Sequence, residues 1–470
     1  MLIRINALVS LFFILATGCA TFQPKPLSPS QTASAFEART LDSVELKKFI
    51  EANLRGEVVP WPPRAWDFGL LTLAAYYYHP DLDVARARWE VAEAGIITAG
   101  ARPNPSLRIT PEFSTNPPSG VSPWTVGPIL DIPIETAGKR GYRIAQAQHL
   151  SSSSRLQIAS AAWQVRSRLR AALLNLYTAT QRETILKKQV WGQEDMVSLL
   201  GKRLTYGEIS QPVLTQAQIS FDRARLLLQE NQKKIAENRV KVAEALGLPV
   251  DALHGIDLSF SFLEEIPAPL SLKGMKREAL LKRLDILSAL AEYEAAQAAL
   301  QLEIARQFPD FSLGPGYRFD EGENKWSLGF SVVLPVFNRN EGPIAQAEAR
   351  RLEASARFMA LQAGVIGEID RGLAAYSQAL QKLKIAGVLY TAQKKQNQSI
   401  QARFAQGETD RLAVLSAQLE LNAGALSRLD ALVQAQQSIG LLEDALQQPL
   451  HPPRSRPIAP EANPREKDGR

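Results

Sequence analysis

Four stretches of the chain alternate apolar and polar residues with a period of two. Leu107, Ile109 and Phe113 alternate with Arg108, Thr110 and Glu112, and Trp124, Val126, Leu130, Ile132 and Ile134 share one parity. Further along, Phe311, Leu313, Tyr317 and Phe319 alternate with Ser312, Gly314, Gly316, Arg318 and Asp320. Trp326, Leu328, Phe330, Val332 and Leu334 then alternate with Ser327, Gly329 and Ser331. Strands are expected over about 105–114, 123–134, 309–319 and 326–336. Roughly ten residues, with one apolar face and one polar or very small face, suit a strand between lipid and a wet lumen. Phe113, Trp124, Phe319 and Trp326 stand near the strand ends, where a membrane-interface girdle would lie. A soluble sandwich would alternate similarly, but four strands are few for a chain of 470 residues.

The remaining pattern is helical. Helices are expected from Phe68 to Arg102 and from Lys273 to Gln307, each stopped by a proline that cannot continue it. Longer ones are expected from Ala137 to Leu204 and from Ile344 to Phe404, almost without Pro and with sparse Gly. Some 60 residues of helix span ~90 Å, more than a globular core needs. Beyond each of them, apolar or small residues step by three and four: Leu214, Ala217, Phe221, Ala224, Leu228, Asn231 and Ile235, then Leu412, Leu415, Leu419, Asn422, Leu426, Leu429 and Val433. A sustained period of 3.5 reads as a coiled-coil seam. Taken alone, these helices would also suit an antiparallel coiled-coil rod.

The pattern occurs twice. Arg203-Leu-Thr-Tyr-Gly207-Glu208 recurs 200 residues later (403 − 203) as Arg403-Phe-Ala-Gln-Gly407-Glu408, and Ala217-Gln218 recurs as Ala417-Gln418. Repeats over 67–250 and 272–448 follow, each a helix, a β-hairpin and a long helical hairpin. A segment 19–66 precedes them as an irregular linker, 251–271 joins them, and 449–470, rich in Pro and charge, is expected to be disordered.

Composition narrows the chemistry. The net charge of +6 comes from 54 basic and 48 acidic residues without a basic block, so no nucleic-acid surface is expected. Four scattered His and one Cys leave no basis for a metal site or cofactor. There is no phosphate loop and no nucleophile motif, so no catalytic residue and no enzyme activity are expected. No run of 18 apolar residues could form a membrane-spanning helix, so a crossing falls to the strands. Four strands cannot close a barrel, and an open edge is not tolerated in lipid. Several chains must therefore combine, and three give twelve strands.

The N-terminus has a basic Arg4, an apolar run Leu8–Ala16 and small residues before Cys19, which reads as a signal peptide over 1–18. Ala16-Thr-Gly-Cys19 resembles a lipobox, which makes Cys19 the candidate lipidation site.

Duplicated helix, hairpin and helical hairpin behind such a signal resembles the TolC family of outer-membrane efflux factors, over residues 67–448. The resemblance rests on the two Arg-x-x-x-Gly turns and the Ala-Gln pairs. Pro133-Ile-Glu-Thr-Ala-Gly-Lys-Arg140 resembles the branch that serves heavy-metal pumps, and Pro335-Val-Phe-Asn-Arg-Asn-Glu341 in the second half departs from it. The resemblance implies a mainly α protein with a membrane β-barrel portion: a homotrimer with a 12-stranded barrel in outer-membrane lipid, continuous with a periplasmic α-helical barrel. It implies a periplasmic adaptor protein and an inner-membrane pump, of resistance-nodulation-division type, as partners. The same architecture serves type I protein secretion. The adaptor-docking tips would be Arg203, Gly207, Glu208, Arg403, Gly407 and Glu408, where the glycines also have a plain role in turning the chain. Family members often carry gate carboxylates where this chain has Ala413 and Ser416. Asp410 and Arg411, one turn earlier, are the gate candidates here, and equally an ordinary exposed pair at a helix start. Arg108, Glu112, Asp131, Arg318 and Asp320 are the charges of the barrel, with neither sign dominant.

Overall fold

The computed structural model describes residues 20–54, 56–267 and 272–450. Cys19, the signal segment and the tail from 451 lie outside the described residues. The chain divides into a unit up to Thr40 and a second from Leu41 onward. In the first, helix α1 (Pro29–Glu37) buries no residue. The second contains everything that follows.

Residues 19–66 were expected to be irregular, yet α2 (Val44–Leu54) is a helix that buries Leu46 and Ile50. These two join Trp66, Leu71, Leu169, Leu173, Val242 and Leu246 in one core, so the segment is fastened by apolar burial. The helix expected over Phe68–Arg102 is two. Asp67 caps α3 (Phe68–Tyr78) by accepting from the Leu70 amide at 2.8 Å. Pro80 then forces His79 into extended backbone and starts α4 (Pro80–Gly100). In the second half α7 (Leu272–Lys282) and α8 (Leu284–Ala305) are parted at Arg283, where no proline stands. There the guanidinium holds the break through Asp285 at 2.7 Å and the Ala445 carbonyl at 2.6 Å. The linker 251–271 carries two short 3₁₀ turns, Val250–Leu253 and Ser261–Leu263.

Two helical hairpins dominate: α5 (Lys139–Thr205, 67 residues) with α6 (Gln211–Leu246), and α9 (Glu341–Ala405, 65 residues) with α10 (Arg411–Leu446). At 1.5 Å per residue α5 and α9 are each ~100 Å long. On α6 the stepped positions turn inward as the spacing requires, with Ala217, Ala224 and Asn231 buried. On α10 the buried face is wider and adds Val414, Ala417, Gly424 and Ala431, because this helix packs on α5 as well as on α9. A polar network joins the two hairpins. Trp163 and Ser167 donate to Asp444 at 2.9 and 2.7 Å, and Arg170 donates to the Gln436 carbonyl at 2.9 Å. Burial pulls the Arg170 pKa down, and the nearby Glu443 carboxylate opposes that shift.

The expected strands are shorter or interrupted. The first is split at Pro111 into β1 (Ser106–Ile109) and β2 (Glu112–Phe113), since proline has no amide to donate. The second is split at Gly127 into β3 (Trp124–Thr125) and β4 (Pro128–Ile134). β5 (Phe311–Asp320) and β6 (Glu323–Val332) pair over their full length, with Phe311 opposite Val332 and Asp320 opposite Glu323. Glu321 and Gly322 between them both have positive φ, the two-residue turn that suits the twist of a hairpin. The sheet is antiparallel in the order β1-β4-β5-β6, so the two halves meet at β4–β5, where Ile134 lies opposite Phe311. β2 and β3 form a separate pair. Every residue of β1 and β6, the edge strands, is exposed.

Gly127 sits where β4 approaches β5. A Cβ there would meet the Tyr317 carbonyl oxygen at 1.9 Å, whereas one at Gly95 on α4 meets nothing within 4 Å. Gly127→Ala is expected to abolish the folded, heat-modifiable form on semi-native gels, while Gly95→Ala leaves it unchanged. Equal behaviour of the two would contradict the close approach.

Candidate functional site

The two turns at the far ends of the helical hairpins are built alike. Gly207 (φ 75) donates to the Leu204 carbonyl at 2.9 Å and Glu208 to the Arg203 carbonyl at 2.9 Å. Gly407 (φ 77) donates to Phe404 at 3.0 Å and Glu408 to Arg403 at 2.9 Å. This double bond pattern closes a helix with a left-handed residue and satisfies its last carbonyls, so the repeated Arg-x-x-x-Gly spacing is first a turn requirement. Arg403 Nε also donates to Glu408 at 3.3 Å, and Arg203 Nε lies 3.7 Å from Glu208.

The tips are tied to each other. Arg203 Nη2 donates to Asp410 Oδ2 at 2.7 Å, and Arg411 Nη2 to Asp195 Oδ2 at 3.3 Å. The gate candidates Asp410 and Arg411 thus reach back from the start of α10 to α5 of their own chain. Asp410 also caps α10 by accepting from the Ala413 amide at 2.9 Å. That amide, with Arg203, holds the Asp410 carboxyl below its ordinary 3.8. A depressed acid stabilises the fold above its ordinary pKa and ceases to as pH falls below it, so the contact is intact at neutral pH. Both pairs are partly exposed, which places each at ~0.2–1 kcal/mol. Asp195 was not singled out in the sequence, since an acid about three turns before the end of a long solvated helix has no local signature.

At the other end, the chain passes between helices and sheet through an elbow made by the heavy-metal-like motif. After β4, Ala137 and Gly138 take positive φ and α5 begins. Lys139, buried, donates from Nζ to the Phe308 carbonyl and to Asp310 Oδ1, both at 2.7 Å. Thr136 donates to the Pro309 carbonyl at 2.8 Å through its hydroxyl and to Asp310 at 2.8 Å through its amide. Arg140 and Arg143 reach the final carbonyls of α4, Gly100 at 2.6 Å and Ala99 at 3.2 Å. Glu135 accepts from Arg143 at 3.0 Å. In the second half Asn340 (φ 63) does this work, donating to the Glu303 carbonyl at 2.7 Å. Between Glu135 and Arg140 the motif thus turns the chain at Ala137 and Gly138, caps α4 through Arg140, and clasps the segment entering β5 through Thr136 and Lys139.

Of the strand charges, Arg318 and Asp320 come together at 3.0 Å, joined by Lys325 at 2.8 Å and the Thr125 hydroxyl at 2.8 Å on the same carboxylate. This cluster closes the β5–β6 hairpin and ties β3 to it. Arg108, Glu112 and Asp131 lie on β1, β2 and β4, away from that cluster. Among the described residues no group of three or more His, Cys, Asp or Glu could hold a metal ion. No helix among them is long and apolar enough to cross a membrane.

The profile of the family described as outer membrane efflux protein matches residues 75–248 and 276–446, one span for each repeat. The chain belongs to this family. It is 25% identical over 290 residues to the cobalt-zinc-cadmium resistance protein CzcC of Cupriavidus metallidurans, covering 60% of this chain and 65% of that one. It is 22% identical over 227 residues to the probable outer membrane lipoprotein SilC of Salmonella typhimurium, covering 44% and 49%. The chain thus spans about half to two thirds of the length of these curated relatives. Among solved structures, the outer membrane protein VceC of Vibrio cholerae superposes with a TM-score of 0.66 at 21% identity, over 82% of this chain and 97% of that one. The chain shares the fold of that structure.

The Lys139–Asp310 contact can be tested separately from the rest. Lys139→Met is expected to cost about 1–3 kcal/mol, because the Phe308 carbonyl and the Asp310 carboxylate lose their donor. Asp310→Asn should cost less in the Lys139→Met background than in the native one. Additive losses in the thermal unfolding of the double variant would contradict a coupled clasp.

Proposed function

We propose that the chain is the outer-membrane channel of a tripartite efflux system, a passive exit duct fed by an inner-membrane pump through a periplasmic adaptor. The observation that carries this reading is a four-stranded sheet, open at both edges, set on two helical hairpins of ~100 Å. In lipid, the backbone groups of β1 and β6 must be paired. Three copies with β1 of one against β6 of the next give a closed barrel of twelve strands. The helical hairpins then continue the duct through the periplasm, and Cys19, acylated, adds a lipid anchor at the outer membrane, as the name of SilC suggests for that relative.

The substrate class is divalent heavy-metal cations, supported by the likeness to CzcC and by the Pro133–Arg140 motif. That support is one of kinship, since the motif's own contacts are architectural. The pump partner is accordingly of resistance-nodulation-division type. The adaptor meets the Arg203–Glu208 and Arg403–Glu408 turns, which present exposed carboxylates beside helix ends.

Opening is a parting of the tips. The Arg203–Asp410 and Arg411–Asp195 pairs hold α10 to α5 at rest, and adaptor contact separates them. Two pairs in each of three copies, at ~0.5 kcal/mol apiece, bias the closed state by ~3 kcal/mol. An Asp195→Asn, Asp410→Asn variant keeps the helix cap but loses both ion pairs. In planar bilayers it should open up to about a hundred-fold more often than the native channel. A native chain that carries no current would sink the duct. An unchanged open fraction in the variant would sink the latch alone. In cells, loss of the chain should sensitise growth to cobalt, zinc or cadmium, and unaltered tolerance would remove the metal assignment.

A further inference from the structure

The apolar face of β6 does not stop where the strand does. Trp326, Leu328, Phe330 and Val332 are exposed on one parity, and Leu334 and Val336 continue it past the end of the strand. The opposite parity is Ser327, Gly329 and Ser331, and then becomes apolar at Val333, which is 79% exposed. Alternation is therefore lost at the elbow, and the chain there is apolar on both sides. Phe337 is fully exposed, and Phe308, which precedes β5 at the same end of the sheet, is more than half exposed. A solvated turn would not be built so.

Charge at this end is positive in excess, with Glu341 at the start of α9 the one exposed acid outside an ion pair, set against three exposed arginines. Glu135 is matched by Arg143, Asp310 by Lys139 and Glu303 by Arg306. Arg102 after α4, Arg140 at the start of α5 and Arg339 before α9 are all exposed. None of them takes part in an ion pair among the described residues. The opposite end of the sheet carries Asp320, Glu321 and Glu323 against Arg318 and Lys325.

We propose that this elbow is a binding surface for anionic glycerophospholipid of the periplasm-facing leaflet. Val333, Leu334 and Phe337 enter the acyl region, and Arg102, Arg140 and Arg339 meet the headgroup phosphates. The inference rests on the membrane-channel reading, which alone places this end of the sheet at the leaflet boundary. Two features select lipid as the occupant. The patch continues the face that β6 turns to hydrocarbon, and basic residues stand at the same end of the sheet, Arg339 two residues from Phe337 and Arg102 and Arg140 beside β1 and β4, as a row of headgroups requires.

The test uses the full chain reconstituted in nanodiscs of phosphatidylcholine with or without phosphatidylglycerol, and scores the lipid retained after extraction by native mass spectrometry. The native chain should retain phosphatidylglycerol in preference to phosphatidylcholine. Arg102→Gln and Arg339→Gln should each lower that preference by about five-fold. Phe337→Ser should lower retention of both lipids without lowering the preference. No preference in the native chain, or one that survives both arginine changes, would overturn the proposal. A Phe337→Ser chain that loses its oligomeric state instead would also overturn it, since another copy would then cover the patch. Planar-bilayer conductance, expected to be unchanged in all three variants, reports separately on the channel reading.

Discussion

Unpaired backbone at the edges of a sheet is the constraint from which the rest of this molecule follows. β1 and β6 each present a row of amides and carbonyls with no strand partner among the described residues. In water such edges would be hydrated at little cost, but hydrocarbon offers nothing to bond. The outward face of the sheet is nevertheless apolar from Trp326 to Val332 on alternate positions. A surface suited to lipid and an edge forbidden in lipid are what the proposed trimer would reconcile, through a second and third copy of the same edge. Oligomer, barrel and duct are one inference in three parts.

The elbow makes that inference mechanically possible. Each strand pair must pass into helices of more than 60 residues without leaving helix ends bare, and the chain does this with Arg, Lys and Asn side chains placed on carbonyls. In the first half Arg140 and Arg143 do this for α4 while Lys139 and Thr136 clasp the segment entering β5, and in the second half Asn340 meets the Glu303 carbonyl. This gives the Pro133–Arg140 motif a physical reason that has no connection with metal. Kinship with a cobalt-zinc-cadmium resistance protein and the chemistry of the motif are thus separate arguments. Only the first bears on substrate.

Much of this was legible beforehand, for identifiable reasons. The strands showed because period two with a tiny or polar alternate is rare in a chain otherwise helical, and the α6 seam because its coiled-coil spacing is local. The tips showed because left-handed glycine after a helix has a fixed offset. What was hidden depends on distant partners. The break at Arg283 has no proline and is held by Asp285 and Ala445. Helix α2 looked like linker because its burial depends on Leu71 and Trp66 nearby in space. That Asp410 and Arg411 also reach Arg203 and Asp195 on α5 could not be read from the sequence, because it depends on how the helices pack.

The central claim, that three copies close one sheet through β1 and β6, is most directly tested by oxidative cross-linking. In a Cys19→Ser background, single cysteines in β1 are combined with single cysteines in β6, and membranes are oxidised before denaturing electrophoresis. At matched register the expected result is covalent dimer and trimer, with trimer the largest species. Monomer alone at every register, or a ladder that runs past three, would contradict the account.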